Sequence, residues 1–196
     1  MAGKTFRLGI LESVLRTRLE PVRARLKAAC PMTVTVGHSR DLFKRLKAGE
    51  FDAVFAIDCP EDPGIRRVKA FGEDVMLIYP DSHCPVESAS DLEDLPMAAL
   101  PEGCSYRRRL LAWMDSQGAK PLSVEDQPDY ASILRTVASG GGFAPVPASV
   151  LSASDVKSEI QADRLEGPEG RVWVELLWRP EAPAQGIAAL RSALGF

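Results

Sequence analysis

Three serines follow strand-like segments and could help to bind an anion. Each stands near the N-terminus of a predicted helix, where backbone N–H groups without partners and the helix dipole favour a negative charge. The three are Ser13, Ser39 and Ser105. A small carboxylate is the ligand that fits this chemistry best. Plain N-capping by the serines is the alternative, because serine is common at helix starts.

The cysteines and histidines do not have the spacing of a metal site or a catalytic pair. The 4 cysteines contain no C-x-x-C pair, and neither His38 nor His83 stands at ligand spacing from another candidate. His83 and Cys84 are adjacent in a proline-flanked segment, where neighbouring side chains rarely face one another as base and nucleophile. Cys104 stands near a predicted helix start, which lowers a thiol pKa, so redox sensing is a minor alternative. We therefore predict no catalytic residue, no metal and no cofactor.

Two runs of a single residue type also have ordinary explanations. Gly140, Gly141 and Gly142 follow a predicted helix and lack the Lys-Ser/Thr ending of a phosphate-binding loop, so they indicate a helix C-terminus. The arginines at 107–109 fall on a predicted helix, where three consecutive side chains spread around more than half the circumference. At most one or two of them share a face, and the run predicts no clamp for phosphate or DNA.

Composition and charge exclude several classes of protein. The chain has 196 residues, 45% hydrophobic and 26% charged, which predicts one or two folded domains rather than disorder. Lys and Arg number 24 against 27 Asp and Glu, so the bulk charge does not predict a nucleic-acid binder. No apolar run approaches the roughly 20 residues of a membrane helix, and residues 1–6 have no signal-peptide pattern. We predict a cytoplasmic protein that does not contact membranes.

The hydrophobic pattern predicts two α/β subdomains. The first half has a β-α-β-α-β order, with strands at 6–11, 32–36 and 52–57 and helices at 14–29 and 39–48. Short connections of this kind are typical of a parallel sheet covered by helices. The second half has strands at 75–80, 96–100, 122–126 and 143–147, and helices at 105–117 and about 130–139. A strand at 171–178 and a helix at 183–194 are predicted to return to the first subdomain.

Several segments, in this order, resemble one protein family. They are LGILESVL at 8–15, LEP at 19–21, DLFKRLKAGEFDA at 41–53, GCSYRRR at 103–109, VASGGGF at 137–143 and VELLWR at 174–179. Together they resemble the effector-binding domain of LysR-type transcriptional regulators over residues 6–194. The ordered set, rather than any single segment, carries the resemblance.

The resemblance implies a fold and a domain organisation. The fold is α/β and type 2 periplasmic-binding-protein-like, with two α/β subdomains joined by crossing strands around a cleft. Residues 1–80 and 165–196 would form subdomain I, and residues 81–164 would form subdomain II. Whole family members also carry an N-terminal winged helix-turn-helix domain, which we expect to be absent from this chain.

The resemblance also implies a binding site for a small effector. Its residues would lie after the first two strands of subdomain I and at two helix starts of subdomain II. They are Ser13, Val14, His38, Ser39, Ser105, Tyr106, Asp129 and Tyr130. His38 departs from the Ser or Thr that many family members have at this position.

The leading functional prediction is an effector-sensing regulatory domain of a bacterial LysR-type transcription factor. A small anionic molecule, such as a carboxylate, would bind in the cleft and control DNA binding and transcription by the intact dimer. We expect a homodimer or higher homo-oligomer that contacts DNA only through the N-terminal domain. A stand-alone solute-binding protein of the same fold is the alternative. An enzyme is not predicted, because the sequence offers no convincing nucleophile and base and no cofactor lysine.

Overall fold

The chain divides into two compact units. The computed structural model describes residues 5–196. Unit 1 comprises the chain up to Gly72 together with Trp173–Phe196, and unit 2 comprises Glu73–Val172. The chain therefore passes from one unit to the other twice. The first passage lies within a long strand and the second within the last strand.

The centre of unit 1 is a group of four neighbouring strands that belongs to a seven-stranded sheet. Its strands, in chain order, are β1 (Phe6–Ile10), β2 (Met32–Val36), β3 (Ala53–Ala56) and β9 (Arg171–Trp178). β1 lies between β2 and β3 and runs parallel to both, as the β-α-β-α-β pattern predicts. β9 runs antiparallel to β3. The predicted strand at 171–178 thus returns to unit 1 and ends the parallel run.

The first helical segment of unit 1 differs from the continuous helix predicted at 14–29. It consists of α1 (Glu12–Val14), a π-helical turn (Leu15–Leu19), a 3-10 turn (Glu20–Val22) and α2 (Arg23–Ala29). The Glu20 N–H donates to the Leu15 carbonyl, five residues back. Pro21 explains the widened turn, because it has no N–H to donate and its ring crowds the preceding turn of an α-helix.

Two further helices cover the sheet of unit 1. They are α3 (Ser39–Lys47) and α7 (Ala184–Leu194). α3 buries Leu42 and Leu46 on one face, as its spacing of apolar residues predicts. α7 packs closely on β1 at Gly186, where an added Cβ would lie 2.1 Å from the ring of Phe6.

Unit 2 contains further strands of the seven-stranded sheet, a separate two-stranded sheet and three α-helices. The strands are the second part of β4 (Arg66–Pro80), β5 (Pro96–Ala99), β6 (Ser123–Asp126), β7 (Ala144–Pro147) and β8 (Ile160–Arg164). β4 pairs antiparallel with β7 and β8, whereas β5 pairs parallel with β6. The helices are α4 (Ser105–Ser116), α5 (Tyr130–Ala138) and α6 (Ala148–Ser152).

Three features of this fold were not predicted. β4 begins at Arg66 rather than at 75, and β8 and α6 have no counterpart in the predicted elements. The first half of β4 is rich in charged residues and largely solvent-accessible, so it lacks the apolar alternation of a half-buried strand. Across residues 5–196, no helix is long and apolar enough to cross a membrane.

Candidate functional site

The carboxyl ends of β1 and β2 lie side by side in unit 1. Ile10, the last residue of β1, pairs with Val36, the last residue of β2. The Gly37 N–H extends this pairing by donating to the Ile10 carbonyl at 3.0 Å. The two loops that lead into α1 and α3 are therefore neighbours. All four site residues predicted in the first subdomain lie at the starts of the helices that follow these strand ends, a region that we call the unit 1 edge.

At this edge, the hydroxyl of Ser13 forms no hydrogen bond within the described part of the chain and could bond to a ligand. Its side chain is buried, and the residue is only 3% exposed. No other residue of the described chain forms a hydrogen bond with its hydroxyl, although its carbonyl accepts a bond from Thr17 Oγ1 at 2.7 Å. Leu11, not Ser13, is the N-cap of α1, so Ser13 does not act as a helix cap. A hydroxyl without a protein partner is a group to which a ligand can form a hydrogen bond.

The start of α3 is arranged differently from the sequence-based prediction. His38 is the N-cap, so the prediction that Ser39 caps this helix is wrong. Ser39 is the first helical residue, and its Oγ instead accepts a hydrogen bond from the Ile57 N–H at 3.0 Å. This bond fastens the end of β3 to the start of α3. The His38 side chain makes no capping bond, and its burial lowers the pKa of its imidazole, while nearby Asp41 opposes the shift.

A third loop at this edge contributes residues that were not among the predicted site residues. Asp58, just after β3, has a φ of 56°, and it is the one non-glycine residue of the described chain with a positive φ. The thiol of Cys59 lies 3.9 Å from the Ser39 carbonyl, and burial raises its pKa to about 12. No residue pattern signals the positive φ of Asp58, because aspartate tolerates the left-handed conformation but does not require it. The loop places Asp58 beside the start of α3.

The carboxyl ends of β5 and β6 form a comparable edge in unit 2. Ala99 pairs with Asp126 at the ends of these two strands, and the Gln127 N–H donates to the Ala99 carbonyl at 2.8 Å. The loops that follow lead into α4 and α5. The four site residues predicted in the second subdomain lie at these two helix starts.

The start of α4 surrounds a buried thiol. Cys104 is the N-cap, and Ser105, the predicted opening residue, is the first helical residue. Burial raises the pKa of the Cys104 thiol, although the N–H groups of Arg107 and Tyr106 and the hydroxyl of Tyr130 act in the opposite direction. This thiol therefore stays protonated near neutral pH. Its contact with Tyr130 also links the start of α4 to the start of α5.

The start of α5 carries its own cap. Asp129 is the N-cap, as predicted, and its Oδ1 accepts a hydrogen bond from the Ser132 N–H at 2.7 Å. This bond gives the positive end of the helix a fixed negative partner. Tyr130, the next residue, is buried, and so is Tyr106 on α4.

The arginines of α4 bind protein groups. Arg107 forms an ion pair with Asp126 and also donates to the Leu100 carbonyl at 3.3 Å. Arg109 forms an ion pair with Glu169 at 3.1 Å. In the described part of the chain, no three His, Cys, Asp or Glu side chains group as metal ligands would. The chemistry of both edges is therefore hydrogen bonding and electrostatics.

Comparison with known proteins identifies the family. The model of the LysR substrate binding domain matches residues 2–195. The HTH-type transcriptional regulator GltR of Bacillus subtilis (strain 168) is 21% identical over 159 residues, which are 80% of this chain and 54% of that regulator. The HTH-type transcriptional regulator SoxR of Arthrobacter sp. (strain TE1826) is 24% identical over 130 residues, which are 66% of this chain and 44% of that regulator. The chain thus spans about half the length of these curated relatives.

Solved structures share the fold. The BenM effector-binding domain with its effector benzoate matches with a TM-score of 0.76 at 21% identity, covering 100% of this chain and 92% of that one. A full-length OxyR variant from Pseudomonas aeruginosa matches with a TM-score of 0.78 at 19% identity, covering 98% of this chain and 68% of that one. The predicted type 2 periplasmic-binding-protein-like fold is therefore confirmed. Because the family match covers almost the whole sequence, the chain belongs to the LysR substrate binding domain family, as a regulatory domain rather than a stand-alone solute-binding protein.

Proposed function

We propose that this domain binds a small anionic effector and thereby controls DNA binding and transcription by a LysR-type regulator. The observation that carries the proposal is the Ser13 hydroxyl. Ser13 lies just after β1 and is only 3% exposed, and no residue in the described part of the chain forms a hydrogen bond with its hydroxyl. A ligand that bonds to this hydroxyl would add a hydrogen bond with a net contribution of about 0.5–1.5 kcal/mol.

The start of α3 supplies the favourable electrostatics for the anion. This helix has nine residues, and its N-cap, His38, contributes no side-chain acceptor to the first turn. The helix dipole and the N–H groups of that turn favour a negative group there. Ser39 acts as a positioning residue in this proposal, because its bond to the Ile57 N–H holds the start of α3 against β3.

The other proposed contacts contribute shape and further polar groups. Val14 is buried beside Ser13 and offers packing rather than hydrogen bonding. In unit 2 the proposed contacts are Ser105, Tyr106, Asp129 and Tyr130. The benzoate bound to the related BenM domain supports a small carboxylate as the ligand class.

The wider organisation is also part of the proposal. Residues 1–80 with 165–196 and residues 81–164 correspond to regulatory domains I and II of the family. The domain acts in the cytoplasm as a homodimer or higher homo-oligomer, and DNA contact belongs to an N-terminal domain of the whole regulator. β2 lies at the outer edge of the unit 1 sheet, where Val36 is 48% exposed, and this edge is suited to contact a second copy.

A thermal-shift screen against carboxylates, amino acids, aromatic acids and phosphorylated metabolites tests the proposal. A ligand at 100 times its dissociation constant stabilises the folded state by about 2.7 kcal/mol, which is easily measured. The shift should fall sharply in Ser13→Ala and persist in Ser152→Ala, a matched change at an exposed serine of α6. A folded domain that responds to none of these compounds, or equally in both variants, would refute the proposal.

A further inference from the structure

We infer that Arg67 is a positioning residue for the effector, because it holds the loop after β3, residues 58–60, against the start of α3. This loop in turn keeps the start of α3 in the form that binds the anion. The inference rests on the proposed function and adds to it a residue outside the predicted site. Arg67 acts only through the loop and does not touch the anion. All the contacts that carry the inference lie within unit 1.

The first step is the contact between the loop and α3. The Ile57 N–H donates to the Ser39 Oγ at 3.0 Å, and the Cys59 thiol donates to the Ser39 carbonyl at 3.9 Å. Burial raises the pKa of this thiol to about 12, so it keeps the proton that it donates near neutral pH. Ser39, the first residue of α3, is thus bonded to the residues on both sides of Asp58.

The second step is the pair of bonds that Arg67 makes to the same loop. Its guanidinium donates to the Cys59 carbonyl at 3.3 Å and to the Pro60 carbonyl at 2.6 Å. Hydrogen bonds from a charged donor are about twice as strong as bonds between neutral groups. Because both carbonyls follow Asp58 directly, one side chain fixes the path of the backbone at this point.

The third step is the residue that holds Arg67 in place. The Glu175 Oε2 accepts from the Arg67 guanidinium at 3.3 Å, and the two side chains are 15% and 25% exposed. Glu175 lies on β9 opposite Ala56, the last residue of β3, and therefore beside the beginning of the loop. Since Glu175 offsets the charge of Arg67, the guanidinium serves the loop as a hydrogen-bond donor.

The loop has a second attachment, which provides a control. Asp62 forms an ion pair with Lys47 at 2.7 Å, and its Oδ1 accepts from the Gly64 N–H at 2.9 Å. Lys47 is the last residue of α3, so this attachment lies at the end of the helix opposite to the proposed anion. Its loss should leave the start of α3 in place.

The test measures the binding of benzoate and of hexanoate to the wild-type domain and three variants by calorimetry. If the loop leaves the start of α3 for about nine tenths of the time in Arg67→Gln, the apparent dissociation constant rises about tenfold. Arg67→Lys keeps the charge but loses the planar set of donors, so it should also bind more weakly than the wild type. Lys47→Gln removes the same charge from the other attachment and should stay within about twofold of the wild type.

An NMR readout separates positioning from a general loss of stability. In the ligand-free Arg67→Gln domain, the amide signals of Ser39 and Ile57 should move, and the Ile57 amide should exchange with solvent faster. Saturating benzoate should return both signals towards their wild-type positions, because the anion selects the attached form of the loop. A variant that is only less stable would not show this recovery.

The outcomes separate this inference from the proposed function. Weaker binding in both Arg67 variants, with little change in Lys47→Gln, supports the inference, and Arg67→Lys decides the case if Arg67→Gln does not fold. Wild-type affinity in Arg67→Gln, full affinity in Arg67→Lys, or an equal loss in Lys47→Gln overturns it while the proposed function stands. If neither acid binds to the wild type, the small-carboxylate effector is refuted and the inference falls with it.

Discussion

In both units, helices start just after the carboxyl ends of parallel strands, but the side chains at these helix starts differ. In unit 1, the N-cap of α3 is His38, whose side chain forms no capping bond, and the hydroxyl of Ser13 has no hydrogen-bond partner among the described residues. In unit 2, α5 begins at Asp129, whose carboxylate caps the helix, and α4 begins around a protonated thiol. The same element order therefore leads to helix starts with different side chains, since α3 has no side-chain cap and α5 has one. In our proposal these local side chains, rather than the fold, decide which helix start takes the anion.

The largest expected effect concerns the two thiols of unit 2. Cys104 is buried with a raised pKa, whereas Cys84 is exposed. Because the thiolate is the reactive form, a thiol reagent should label Cys84 about 100 times faster or more than Cys104 in the folded domain. Mass spectrometry of a labelling time course measures both rates. Equal rates would mean that the α4 start is open, and redox sensing through Cys104 would then become the better account.

The second effect concerns the caps themselves. Asp129→Ala removes the cap of α5 and should lower the free energy of unfolding by about 1 kcal/mol. His38→Ala removes a side chain that caps nothing and should cost less. Urea unfolding of the two variants and the wild type measures both changes. If His38→Ala proves the more destabilising of the two, the contrast between the two helix starts fails.

The third effect concerns the strained loop of unit 1. Asp58 holds a φ of 56°, which glycine adopts without steric cost. Asp58→Gly removes that strain but increases the freedom of the unfolded chain, so the net change in stability should stay within about 1 kcal/mol. Asp58→Val should be clearly destabilising, because a β-branched residue disfavours this conformation. Thermal unfolding measures whether Asp58→Val is less stable than Asp58→Gly. Equal stability of the two variants would contradict the prediction.

The smallest effect is a pH dependence from His38. Burial lowers its pKa in the folded state, so the unfolded chain binds the proton more readily. Stability contributed by the neutral imidazole is complete above the unfolded pKa of about 6.5 and is lost as pH falls through and below that value. His38→Asn should therefore lose less stability than the wild type between pH 7.5 and pH 5. If the wild type instead gains stability relative to His38→Asn as the pH falls from 7.5 to 5, the predicted direction of the pKa shift is wrong.

The sequence predicted the elements that carry the two edges better than it predicted their local chemistry. Apolar alternation located β1, β2 and β9, and the spacing of Leu42 and Leu46 located α3. Caps are a choice between adjacent residues, and His38 rather than Ser39 is the N-cap of α3, whereas Ser105 opens α4 as predicted. Asp58 could not be found, because a positive φ outside glycine leaves no pattern in the sequence.

The measurement that tests the central claim most directly is an amide NMR titration of the domain with benzoate. The account predicts that the largest shifts occur at the start of α3, from His38 to Asp41, and at Ser13. Residue-by-residue shifts report where the anion sits without any substitution. Shifts concentrated at the starts of α4 and α5, with none at Ser13, would contradict the account.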